Sequence, residues 1–139
     1  MTQEEKQLVL IDLCARLPYG VIIHNEDGYE GQLNSINNIP FNIKLGVNVT
    51  STHRVGFRID TCKPYLRPMS SMTEEEKIDV EKFGVCSDGA FHNDVYDVGI
   101  FMDEAFTAIL WFLKKHFDIN HLIEKGLALE APEGMYKTN

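Results

Sequence analysis

Apolar and polar positions alternate along the chain with several different periods. In the first stretch Leu10, Leu13, Cys14 and Leu17 recur at the i, i+3, i+4, i+7 spacing of one buried helical face. Thr2 and Glu5 precede that face at the capping-box spacing, in which each side chain satisfies a free amide of the first turn. Pro18 and Gly20 end the pattern, and Arg16 falls in the last turn, where a cation suits the helix dipole. The spacing predicts a helix over about 3–17.

From residue 20 the period drops to two. Val21, Ile22 and Ile23 are β-branched, and Glu26-Asp27-Gly28 is a turn signal. Tyr29 to Ile36 alternates loosely, and Asn37 to Pro40 reads as a second turn. Phe41, Ile43, Leu45, Val47 and Val49 alternate with polar or small residues, as do Val55, Phe57 and Ile59 with Arg54, Arg58 and Asp60. Connections of only a few residues cannot make parallel crossovers, so the expectation is an antiparallel meander.

Lys63-Pro64-Tyr65-Leu66-Arg67-Pro68 reads as an extended connector, because its two prolines disfavour helix. Thr73 and Glu76 repeat the capping-box spacing and open a short acidic helix towards Phe83, which Gly84 ends. Residues 85–97 read as a loop. The strongest helical period runs over 98–116, with Phe101, Ala105, Ala108 and Phe112 on one stripe and Met102, Phe106, Ile109 and Leu113 beside it. His116 continues that stripe. Asp118 is placed to cap a short helix over 119–125, with Gly126 as its C′ residue and Leu127 touching Leu122 in a Schellman ending. Residues 131–136 show no regular pattern. The chain is therefore expected to be a single α+β domain over residues 1–139. A small antiparallel meander should pack against an N-terminal helix and a long C-terminal helix.

Composition agrees with that picture. A 139-residue chain that is 44% hydrophobic should bury roughly two-thirds of its unfolded surface without disulfides or a structural metal. Cys14, Cys62 and Cys86 are odd in number and far apart, which argues for buried free thiols. The net charge of −8 disfavours a general nucleic-acid binder. The charge is segregated, however. Residues 31–72 carry Lys44, Arg54, Arg58, Lys63 and Arg67 against Asp60, whereas residues 73–104 are strongly acidic. The simplest expectation is that these two stretches neutralise each other. No run of about 20 apolar residues would span a membrane. The polar start Met1-Thr2-Gln3-Glu4 lacks the features of a secretory leader, so the cytoplasm is the expected compartment. There the acceptor pattern Asn48-Val49-Thr50 would go unused.

Standard chemical motifs are missing from the sequence, and no cofactor or metal site is expected. Ile23 stands where a calcium loop built on Asn25 to Gly28 would need its first acid. His116 and His121 are five apart across a helix break, which does not give a zinc pair. The densest polar cluster is Cys86-Ser87-Asp88 with His92, Asp94 and Asp97. There His92 could activate the Cys86 thiol and Asp94 orient the imidazole, or the three residues from His92 to Asp97 could bind a metal, but a solvated turn explains the same residues.

Three strings, Asp12 to Val21, Lys63 to Glu76, and His116 to Asp118 with Leu122 to Tyr136, together resemble a family of small uncharacterised proteins encoded by gut bacteria and by their phages and other mobile elements. The resemblance implies a setting and assigns no activity. It draws attention to Lys63, Tyr65, Leu66 and Arg67 as a candidate interaction surface, with two apolar anchors and two cations. The expected function is that of a non-enzymatic accessory or interaction protein, acting through a protein partner or self-association. A thiol or hydrolytic enzyme using Cys86 and His92 is the first alternative. A nucleic-acid contact through the basic segment 54–67 is the second.

Overall fold

The computed structural model of the protein describes residues 1–39, 42–83 and 98–136. It is an α+β fold whose sheet has six strands and is antiparallel except at one edge. Helix α1 (Gln3–Arg16) opens the chain behind the expected capping box: Glu5 N–H donates to the Thr2 hydroxyl and Thr2 N–H to the Glu5 carboxylate. Strands β1 (Ile22–Asn25), β2 (Glu30–Ile39), β3 (Asn42–Asn48) and β4 (Arg54–Arg58) follow as the meander. Strand β5 (Cys62–Leu66) returns to the other side of β1, and the two-residue β6 (Leu129–Glu130) adds to it in parallel. The order across the sheet is β4-β3-β2-β1-β5-β6.

Alternation assigns the two faces of this sheet. Ile23, Leu33, Leu45, Val47, Phe57, Cys62 and Leu66 are buried on one side. There they meet Val9, Leu10 and Leu13 of α1 and Leu122, Leu127 and Ala128 from the chain's last third. The residues between them, including Gln32, Lys44, Arg54, Arg58 and Lys63, are exposed on the other side. One face is therefore packed and the other is polar, the usual state of an antiparallel sheet.

Helix α2 (Glu74–Glu81) starts behind the second capping box, at Thr73 and Glu76. Helix α3 spans Val98–Lys114, shorter than the expected 98–116. Its described apolar residues do not join the sheet core. Ala108 and Phe112 pack instead with Met72, Val80 and Phe117, a second apolar cluster between α3 and α2. Periodicity reveals which helical face is apolar, but not which element covers it.

Four further expectations change. The segment read as a connector is strand β5, because β6 pairs only with Tyr65 and Leu66 and so leaves Pro64 unchallenged on that side. The α1 stripe contains Asp12 and Arg16 in place of Cys14, which is exposed. Residues 119–125 form turns in place of a helix, since His121 adopts a left-handed backbone with φ of 57°. Residues 37–39, read as part of a turn, end strand β2 and pair with 42–44, and Ala131 N–H of the patternless tail donates to Leu66 O.

Candidate functional site

Two places among the described residues gather polar side chains: the outer face of the sheet, and the turn that follows α3. On the outer face the register sets Gln32 beside Asn48, Asn48 beside Arg54, and Lys44 beside Arg58. Between these rows Gly46 stands opposite Gly56. A Cβ on Gly46 would lie 2.2 Å from Ser35 Oγ, so the Ser35 hydroxyl already fills the space above Gly46, whereas nothing lies within 4 Å of a Cβ on Gly56. At the β1–β5 end His24, Glu30 and Tyr65 come together. The Tyr65 hydroxyl donates to Glu30 Oε1 at 2.5 Å, and His24 Nδ1 lies 3.0 Å from the same oxygen. The Tyr65 bond, with help from His24, lowers the Glu30 pKa; the same bond pushes the Tyr65 phenol up to about 12.

The structure separates the four residues proposed as an interaction surface. Leu66 is fully buried in the sheet core. Arg67 is bidentate on Glu76, at 2.8 and 2.7 Å, and its guanidinium lies 4.2 Å above the Phe117 ring. Lys63 is exposed and Tyr65 partly so, both on the outer face. The expected neutralisation of the basic stretch by the acidic one is realised by Arg67 and Glu76. Arg58 turns to Asp60 at 2.9 Å. Lys44, Arg54 and Lys63 make no ion pair with any described residue. Cys86, His92, Asp94 and Asp97 lie outside the described residues.

The turn after α3 was not anticipated as a site. Phe117 N–H donates to Phe112 O and His116 N–H to Leu113 O, the two bonds of a Schellman ending with His116 at C′. That position requires a left-handed backbone, and His116 has φ of 67°. The His116 ring stacks on Tyr136, with centroids 3.7 Å apart. The residue is 7% exposed, and its Nδ1 meets no hydrogen-bond partner among the described residues. Burial, and then the charges of Arg16 and Arg67, pull its pKa down to about 4, so the imidazole is neutral at pH 7.

Two arginines grip this turn from opposite sides. Arg16 is fully buried, pairs with Asp12 at 2.7 Å, and donates to Phe117 O at 2.7 Å. Asn120 donates to the same Asp12 carboxylate at 2.7 Å. On the other side Arg67 N–H donates to His116 O, and Asp118 N–H to Arg67 O. The sequence held a signal for the first of these. Asp12 and Arg16 are i, i+4 and lie on the same stripe as Val9 and Leu13, so both charges had to be buried together.

Tyr136 completes the area. Its hydroxyl accepts from Ile22 N–H at 2.8 Å and donates to Tyr65 O at 2.7 Å. Ile22 and Tyr65 would be the next partners in the β1–β5 register after Ile23 and Pro64. The phenol therefore relays a ladder hydrogen bond where the strands part, and burial pushes its own pKa up to about 12. Cavities of 640 and 580 Å³ lie beside Tyr136, one lined by Arg67 and Glu76 and the other by His116.

Among the described residues no His, Cys, Asp and Glu group has the arrangement of a metal site, and no helix is long and apolar enough to cross a membrane. No protein-family model, curated protein or solved structure matches the chain.

Proposed function

We propose that the protein is a non-enzymatic interaction protein of a phage or other mobile element. In this reading it works in the cytoplasm and engages an acidic protein partner through the outer face of its sheet. The setting rests on the resemblance of the three sequence strings. The binding reading rests on one observation: Lys44, Arg54 and Lys63 stand exposed on that face without an ion pair among the described residues, in a chain of net charge −8. Such a chain holds ample acid to neutralise three cations, yet no described carboxylate pairs with them. An anionic surface docking there would gain charge complementarity and a faster association. The open space at Gly56 lets a partner backbone approach closely there.

The same cations favour a second reading, in which the anion is single-stranded nucleic acid. Fluorescence anisotropy separates the two. A labelled acidic peptide and a labelled single-stranded oligonucleotide are titrated at low and at physiological salt. Under the first reading the peptide binds, binding weakens with salt, and the double variant Lys44→Glu with Arg54→Glu abolishes it, while Lys77→Glu on α2 does not. Binding of the oligonucleotide alone, with the steep salt dependence of counterion release, establishes the second reading. Absence of both signals at low salt ends both.

A further inference from the structure

The geometry points to a second binding site, the 580 Å³ cavity beside His116, and to a neutral polyhydroxylated small molecule of monosaccharide size as its ligand. The cavity opens between the start of β1, the β2–β3 pair and the tail, and His116, Tyr136, Tyr19, Gln32, Asn48 and Glu30 contribute to its wall. It is a shallow groove, open to solvent over much of its rim, so a ligand there would be held along one side by the wall's polar groups.

His116 supplies the first argument. Its left-handed backbone occupies a position where helix endings usually place Gly or Asn, and its ring nitrogen is buried without a described partner. A backbone conformation and an unmet polar atom, both unfavourable, fall on one residue. Glycine would remove both, so what this position retains is the side chain itself.

The lining chemistry supplies the second. No Lys or Arg lines the cavity among the described residues, which removes the usual partner of an anion. Gln32 and Asn48 face each other in register across β2 and β3, each offering a carboxamide that both donates and accepts. The described hydrogen bonds of Glu30 all fall on Oε1, which leaves Oε2 as an acceptor. A hydroxyl also donates and accepts, so a ring of hydroxyls matches this set better than an ion does. Tyr19 offers an apolar ring face for the C–H side of a sugar. One face of Tyr136 is already covered by His116, which disfavours a flat base stacked there.

The test is a titration of the full chain with D-glucose, D-galactose and N-acetyl-D-glucosamine, each to about 50 mM, followed in proton–nitrogen correlation spectra. The expected result is a saturating shift of the Gln32 and Asn48 side-chain amides with at least one sugar. Asn48→Leu and His116→Asn should each weaken it about tenfold or more. Lys77→Ala, far along α2, should leave it unchanged. Asparagine tolerates the left-handed backbone at 116, and Gln32→Leu reads the same wall should Asn48→Leu lose its folded spectrum. No saturating shift with any of the three sugars would overturn the site, as would a shift that survives both wall variants. The groove shares Gln32 and Asn48 with the outer face but none of its cations, so Lys44→Glu with Arg54→Glu should leave the sugar shift in place, and the two experiments fail separately.

Discussion

Two stretches of this chain solve the same backbone problem with different residues. Phe112 to Phe117 and Leu122 to Leu127 each close with the paired hydrogen bonds of a Schellman ending. In the second the left-handed C′ residue is Gly126, φ 73°, and a Cβ there would meet nothing within 4 Å. That turn is held by its own bonds, by the Asp118 carboxylate accepting from Leu122 and Ile123 N–H, and by burial of Leu122 and Leu127. In the first the C′ residue is His116, and the turn is clamped by Arg16, Arg67 and Tyr136. A turn with glycine needs little from its surroundings. A turn with histidine bears backbone strain of roughly 1–2 kcal/mol and requires external anchors.

Removing an anchor should have the largest effect. Asp12→Ala leaves the Arg16 guanidinium buried without its carboxylate and deprives Asn120 of its acceptor. Loss of one partner of a buried pair costs about 3–5 kcal/mol, so urea unfolding should show a shift of that size. A loss below about 1 kcal/mol would mean that water reaches Arg16 and that the turn is not clamped from that side.

Acid should have the next largest effect, in two separate windows. The folded chain holds His116 at about 4, below its ordinary 6.5, so the unfolded chain takes up a proton first. Stability is therefore present above pH 6.5 and falls as pH drops towards 4, by about 2–3 kcal/mol. Burial raises the Glu76 carboxyl, but bonds from Arg67 and Thr73 outweigh that effect and hold it at about 2. Its contribution is present above 4.5 and is lost as pH falls towards 2. Unfolding midpoints measured against pH should thus decline in two steps. His116→Asn removes the upper step and Glu76→Gln the lower, and a single step near 4.5 in the unaltered protein would contradict the assignment.

The two C′ substitutions complete the series. Gly126→Ala should cost about 1 kcal/mol, all of it backbone strain, because the new methyl meets nothing. His116→Gly should change stability at pH 7 by less than about 1 kcal/mol, since relief of strain offsets the lost stacking on Tyr136. Thermal unfolding of the two variants side by side checks both. If His116→Gly proves as harmful as Asp12→Ala, the ring contributes to folding, and the case for a ligand at the cavity weakens.

The contrast also explains what could be read in advance. The turn at Gly126 was legible because glycine is the residue such turns select, and the leucines around it follow the motif. The turn at His116 was not, because His116 lies four residues after Phe112 and looks like one more turn of the same apolar stripe. Both capping boxes and the meander follow from short-range patterns that side-chain sterics and hydrogen bonding make local. The strand character of Lys63 to Leu66 was masked by Pro64, which forbids only pairings that the sheet does not make. The cationic row was visible as charge, but its neighbours depend on register. The tail's docking rests on Tyr136 bonding to Ile22, 114 residues away, and no periodicity encodes that.

That phenol has a consequence for how the molecule is assembled during synthesis. Residues 22 and 65 leave the ribosome well before residue 136 and can come together before it emerges. Their direct pairing is nevertheless incomplete, because the bridge between them is carried by residue 136. A nascent chain halted before that point holds two strands with an open seam, and Tyr136 on arrival closes it like a latch.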